Sequence, residues 1–230
     1  MIKQQFSLKM LIFIVFEIIL MILVQLTSGV MNTVVSFTSV VCAFIYGSLY
    51  FNKNNIFIII GLFTTVCADI FLVVIEPMKQ NIAMCFFSIT QICYFLYIYN
   101  SQNKFQQKMH IIIRIIIIVI SLITTTMVLK DNTDFLSLIS LFYYANLVVN
   151  IIFAFTIKNK NILLIMGLIL FACCDFVIGI SIMGESYLSL KEGTLLYFIA
   201  NPGFNLAWIF YVPSQTLIAL CTKKDYTIPN

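Results

Sequence analysis

Two aspartates, Asp69 and Asp175, lie inside apolar stretches that are otherwise nearly free of charge. Each sits in the same short phrase: GLFTTVCADIFL ends at Leu72, and GLILFACCDFVI ends at Ile178. Gly61 and Gly167 stand at the same distance before the two acids. A carboxylate at membrane depth costs about 2.5–3.5 kcal/mol on insertion scales, so its presence needs a reason. Two such groups facing one cavity suit acid–base chemistry. Neighbouring carboxyls in a dry site do not both ionise easily, so one keeps its proton as an acid while the other carries charge. The competing role is structural, each aspartate bonding a Tyr, Asn or Gln and fixing helix packing.

Other polar residues fall at helical spacing. Gln91 and Tyr94 are three apart, Tyr211 and Gln215 four apart, and each pair shares one helix face. These four are the candidates to bond the aspartates or a ligand, with interhelical hydrogen bonding as the plainer alternative. Asn146 and Asn150 form a similar face, with Tyr143 and Tyr144 nearby. Glu17 is a third buried acid, but nothing repeats around it. Arg114 lies toward the cytoplasmic end of its span, from which its side chain can reach the headgroups. The only histidine, His110, is placed at the same interface, far from both aspartates, so a Ser-His-Asp or Cys-His arrangement finds no support. The seven cysteines are odd in number and show no C-x-x-C spacing; they read as small packing residues rather than disulfides or zinc ligands. P-loop, dinucleotide, H-E-x-x-H and G-x-S-x-G patterns are missing.

The elements that must hold these residues follow from composition. Hydrophobic residues make up 62% of the 230-residue chain and charged residues 10%, against about 25% charged in an ordinary soluble domain. Mean hydropathy is +1.06. An all-α polytopic membrane protein is expected, a single integral membrane domain over residues 1–230 with about eight transmembrane helices. The spans read as Met10–Leu26, Met31–Phe51, Ile56–Ile75, Asn81–Tyr99, Met109–Leu129, Phe135–Ile157, Asn161–Met183 and Phe204–Cys221. With both termini cytoplasmic, one side collects Lys3, Lys9, Lys53, Lys104, Lys108, Arg114, Lys158, Lys160, Lys223 and Lys224. The other side holds Lys79, Lys130 and Lys191 with Glu76, Asp131, Asp134, Glu185 and Glu192. This is the asymmetry of the positive-inside rule. The net charge of +4 thus reflects orientation, in the cell membrane by expectation, and not nucleic-acid binding, which needs a clustered basic face.

The first span reads as a retained helix rather than a signal peptide, being long, containing Glu17 and lacking a small-x-small cleavage site. The shared phrase of the third and seventh spans points to a four-plus-four helix repeat, with chance similarity as the alternative, since the other spans show no comparable match. Ala200-Asn201-Pro202-Gly203 breaks the chain before the last span. Thr194–Ala200 is expected as a short outer segment, followed by a helix whose N-terminus either attracts an anion or is an ordinary turn. Pro213 should kink that helix and free the carbonyl of Ile209.

At these residues the chain resembles the lysoplasmalogenase family of membrane proteins, also called YhhN-like. The third span is similar to the family's first aspartate motif through Gly61, Asp69 and Leu72. FSITQICYFLY fits an F-x-x-x-H-x-x-Y pattern through Phe87 and Tyr94, with Gln91 in place of His. GLILFACCD fits G-x-x-x-F-x-x-S-D through Gly167, Phe171 and Asp175, with Cys174 in place of Ser. YVPSQTLIAL fits Y-x-x-A-Q-x-L-I through Tyr211, Gln215, Leu217 and Ile218, with Ser214 in place of Ala. The departures bear on activity more than on fold.

The resemblance implies a membrane hydrolase that cleaves the vinyl-ether bond of a lysoplasmalogen, giving a fatty aldehyde and a glycerophospho-headgroup alcohol. Its partners are a lysophospholipid substrate and the lipid bilayer, with no nucleic acid, and it needs no metal or organic cofactor. Asp69 and Asp175 become the catalytic carboxyls, their individual roles open, and Gln91, Tyr94, Tyr211 and Gln215 the substrate-binding residues. A proton- or ion-coupled transporter, and a non-catalytic scaffold or sensor, are the alternatives that buried carboxyls also allow.

Overall fold

In lipid an apolar run has no hydrogen-bond partner for its backbone except itself, so each run coils into a helix. The computed structural model describes residues 8–75, 77–130, 133–157, 161–186 and 191–223. Lys3, Glu76, Asp131, Lys158, Lys160 and Lys224, which carry part of the charge asymmetry, lie outside the described residues. The helices are α1 (Leu8–Leu26), α2 (Gly29–Ser48), α3 (Ile56–Asp69), α4 (Gln80–Asn100), α5 (Lys104–Leu129), α6 (Phe135–Ala154), α7 (Ile162–Ser186), α8 (Leu195–Ala200) and α9 (Leu206–Leu220). A π-helical turn, Ile70–Val74, continues α3. The chain is an all-α, multi-pass membrane protein.

Local chemistry sets several boundaries. Gly29 turns the chain between α1 and α2 at φ +57°, a conformation that favours glycine. Asn103 and Gln106 close a reciprocal capping box that starts α5, and Asp134 with Ser137 does the same for α6. The first box has a consequence for reading the sequence. It starts α5 five residues before the expected Met109, inside the polar run Lys104–Lys108, and so carries His110 and Arg114 deeper into the bundle.

Among the described residues, seven helices are long and apolar enough to cross a membrane. The eighth expected span differs. At 15 residues, α9 measures about 22 Å, short of the ~30 Å hydrocarbon layer. The break at Pro202 and Gly203 is the reason: it splits the outer part of this pass off as α8, as expected for that segment, and Ser181 of α7 donates to the Ala200 carbonyl at its end, 3.2 Å.

Side-chain bonds show which loops share an end of the bundle. Asn55 Nδ2 donates to the carbonyls of Tyr50 (2.8 Å) and Thr222 (3.0 Å), joining the α2–α3 turn to the end of α9. Asn161 Nδ2 reaches the Cys221 carbonyl (3.2 Å), and Gln102 Nε2 the Thr156 hydroxyl (2.8 Å). The positive-inside rule assigns this end to the cytoplasm. At the opposite end Gln25 donates to the Asn205 carbonyl (3.1 Å) and accepts from the Asn205 N–H (2.8 Å). The N-terminus of α9, weighed above as an anion site, is therefore covered by a side chain of α1.

The interior is apolar with polar side chains set into it, and the outer surface is apolar as well, unlike that of a water-soluble protein. Ile115, Ile120, Met127 and Val30 face outward, as lipid contact requires. Asp69, Gln91, Asn146, Asn150 and Gln215 are buried. Polar side chains in the interior join membrane helices that apolar contact alone does not hold in register.

Candidate functional site

Counted from Ile56 and from Ile162, each aspartate is the fourteenth residue of its helix and each motif glycine the sixth. At 1.5 Å per residue both acids lie about 20 Å from the cytoplasmic end. Asp69 is 1% exposed and closes the α-helical part of α3. The π-helical turn begins at the next residue, a distortion frequent at functional sites. Tyr211 Oη of α9 donates to Asp69 Oδ2 at 2.7 Å. Asp175 is half-buried and accepts from Tyr143 Oη of α6 at 2.5 Å.

Aromatic rings connect the two pairs. The Phe171 ring lies 5.5 Å from Tyr211, 6.2 Å from Tyr143 and 5.9 Å from Phe87, centre to centre. Phe87 in turn lies 5.7 Å from Tyr143. The two Tyr–Asp pairs thus flank one aromatic ring, that of Phe171.

The motif glycines are close-contact positions. A Cβ on Gly61 would fall 2.4 Å from Tyr94 Cε1, and one on Gly167 would fall 2.7 Å from Ile218 Cγ1 and 3.2 Å from the Ser214 carbonyl. Each carbonyl also meets a hydroxyl of a neighbouring helix: Thr90 Oγ1 lies 3.4 Å from Gly61 O, which accepts from Thr64 and Thr65 at 3.0 Å, and Ser214 donates to Gly167 O at 2.8 Å. A Gln follows both Thr90 and Ser214: Gln91 and Gln215. Four residues before each Gln stand Phe87 and Tyr211. The correspondence therefore extends to α4 and α9, where the sequence alone showed no match. Phe87 lacks the hydroxyl that Tyr211 supplies, and Tyr143 bonds the second aspartate from α6 instead. Gly61→Ala is expected to push Tyr94 off its seat and cost about 1–3 kcal/mol, read as a lowered unfolding temperature in detergent.

The remaining expected residues fall around this centre. Gln215, one turn below Tyr211, is 0% exposed, and among the described residues neither its Nε2 nor its Oε1 has a hydrogen-bond partner. Gln91, also 0% exposed, receives Asn150 Nδ2 at both its backbone oxygen (2.9 Å) and its Oε1 (3.0 Å), while its Nε2 is unpartnered. Tyr94 is fully buried, its hydroxyl beside Thr65 without a well-formed bond. A cleft of about 400 Å³ opens against α7 and is lined by none of these residues. Its walls include their sequence neighbours instead: Tyr144, Phe176 and Phe210, with Ala172 and Cys173. Glu17 stays apart from the centre and accepts from Ser39 Oγ at 2.6 Å.

Two readings change. Arg114 does not reach for the headgroups. It is 8% exposed and turns inward, donating to Asn146 Oδ1 and, at 2.6 Å, to Asn150 Oδ1. His110, at the cytoplasmic end beside Gln102, is fully buried and stacks on Phe153 at 3.9 Å instead of facing the headgroups. The cause is the early start of α5, which puts Arg114 about 15 Å along the helix from Lys104. Tyr143, the partner of Asp175, was noted near the Asn146–Asn150 face but not assigned to the site. The signal was present: Tyr143, Asn146 and Asn150 at i, i+3 and i+7 form one polar stripe.

Comparison with curated proteins and with solved structures returns no match. A protein-family model, described as the YhhN family, matches residues 31–221. The matched segment contains both aspartate helices, both Tyr–Asp pairs and the Gln91–Asn150 contact, and leaves out the helix that carries Glu17. The chain belongs to the YhhN family of multi-pass membrane proteins.

Proposed function

We propose that the protein hydrolyses the vinyl-ether bond of a lysoplasmalogen with Asp69 and Asp175 as a catalytic pair. The observation that carries this reading is the placement of two tyrosine-held carboxyls, at one depth, with both tyrosine rings packed about Phe171. Gln215 adds support. A buried amide with both polar atoms unpaired costs about 1–3 kcal/mol per group, which a polar substrate group would offset.

The chemistry needs two carboxyls in different states. One, as the acid, gives its proton to the vinyl carbon remote from the ether oxygen, and the electron pair of the double bond forms the new C–H bond. The resulting oxocarbenium ion is stabilised by the other, ionised carboxylate. That carboxylate takes a proton from water as the water oxygen bonds to the cationic carbon. The hemiacetal then collapses: its hydroxyl proton passes to the first carboxylate, the freed O–H electron pair forms the C=O bond as the C–O bond to glycerol breaks, and the second carboxyl gives its proton to the glycerol oxygen, so both groups return to their starting states and the aldehyde leaves. One water is consumed. Paired carboxylates divide the same labour on glycosidic bonds.

Water and a lipid chain must reach the centre from different sides. The cleft beside α7, apolar and within the 300–1,000 Å³ range of ligand sites, is the place for the hydrocarbon chain. Ala172→Trp, which fills it, is expected to raise KM about tenfold while changing kcat less than about threefold, because it removes binding shared by ground and transition states. The four-plus-four repeat, extended by the Thr90-Gln91 and Ser214-Gln215 correspondence, is proposed as the origin of the pair.

The test is aldehyde release from a lysoplasmalogen by the purified protein in detergent, beside the matching acyl-ester lysolipid. Release from the vinyl ether alone supports hydrolysis. A protein that releases no aldehyde but drives proton-coupled flux in sealed vesicles is a transporter, and the hydrolase reading fails.

A further inference from the structure

We propose that Arg114, with Gln91, binds the phosphate of the lysolipid headgroup. The assignment deepens the lysolipid reading above and rests on it. A guanidinium only donates, so the 2.9 Å contact between Arg114 Nη2 and His110 Nε2 makes that nitrogen an acceptor. The ring hydrogen then sits on Nδ1, which donates to Gln102 Oε1 at 3.0 Å. His110 is therefore neutral, as are Asn146 and Asn150. Phe95 covers one face of the guanidinium, 4.2 Å from its carbon. Among the described residues, nothing that bonds Arg114 carries negative charge. A cation held this deep by neutral groups is costly unless something neutralises it.

Among the described residues, two donors in this cluster lack acceptors: Arg114 Nε and Gln91 Nε2, both buried. Asn150 joins their residues, accepting from Arg114 and donating to Gln91. The group that fits is an anion with several acceptor oxygens. A phosphodiester meets that description and pairs with guanidinium in charge-assisted geometry. Position agrees with chemistry. Asn146, bonded to Arg114, is one helical turn from Tyr143, whose hydroxyl holds Asp175, a separation of about 5–6 Å between side-chain origins. In a lysophospholipid the three-carbon glycerol unit separates phosphate from ether oxygen. Phosphate at Arg114 directs the vinyl ether toward Asp175, with the headgroup on the cytoplasmic side.

The experiment measures equilibrium binding of a saturated 1-O-alkyl lysophospholipid, which has no vinyl bond to cleave, to purified protein in detergent. The comparison ligands are a 1-O-alkylglycerol of the same chain, which lacks phosphate, and inorganic phosphate. Wild type should bind the phospholipid at least about tenfold tighter than the alkylglycerol, the scale of a charged hydrogen bond. Arg114→Gln should erase that preference, and Arg114→Lys should restore only part of it. Inorganic phosphate should compete only at far higher concentration; competition as strong as the lipid's would make the ligand free phosphate and overturn the assignment. Equal wild-type affinity for the two lipids also overturns it, whatever the variants do. Because no turnover is read, a phosphate preference without aldehyde release would sink the hydrolase reading alone, and aldehyde release without the preference would sink this one alone.

Discussion

Asp69→Asn and Asp175→Asn should each lower vinyl-ether turnover by about 10²–10⁴-fold, the usual contribution of general acid–base catalysis, while the protein still inserts and folds. Asn is nearly isosteric with Asp and its amide oxygen still accepts the tyrosine hydroxyl. The Tyr211 and Tyr143 contacts, 2.7 and 2.5 Å in the native protein, therefore survive. What is lost is the ability to give up a proton or carry charge. The double variant should fall little below either single one, because residues acting as one unit are not additive. Turnover, normalised to folded protein by gel filtration, checks this. Near-native turnover of either variant makes that aspartate a packing residue.

The second large effect belongs to the tyrosines. Tyr211→Phe and Tyr143→Phe should each reduce turnover by about 10–100-fold, the scale of one hydrogen bond to a charged group. Each keeps its ring against Phe171 and loses only the hydroxyl. The correspondence of Phe87 with Tyr211 supplies a rescue. Phe87 lies 5.7 Å from Tyr143, so Phe87→Tyr in the Tyr143→Phe background should recover part of the activity by bringing a hydroxyl to Asp175 from α4. Loss of folding in the single variants, with no kinetic defect in the folded fraction, would assign the tyrosines to packing.

Much of this was written in the chain at short range. The repeated Gly-Leu…Asp phrase marked the aspartates because charge in an apolar run stands out. Helical spacing marked Tyr211 and Gln215, and Pro202-Gly203 marked the break before α9. The rest depends on contacts between distant segments. Nothing in Ile70–Val74 announces a π-helical turn, since IFLVV is an ordinary apolar run. The Asn103–Gln106 capping box lay in a polar stretch that resembled a loop, and missing it put Arg114 at the membrane surface. The match of Thr90 with Ser214 became visible only when both hydroxyls were found beside the motif-glycine carbonyls.

Paired-acid catalysis makes one statement that no packing role shares: the proton goes to carbon. Hydrolysis of a lysoplasmalogen by the purified protein in heavy water should give an aldehyde with a single deuterium on the carbon next to the carbonyl. Unlabelled aldehyde incubated in the same heavy water with the Asp69→Asn protein should stay unlabelled over that time. Release of aldehyde without that deuterium, or no release at all from folded protein, would contradict carboxyl-driven protonation of the vinyl ether.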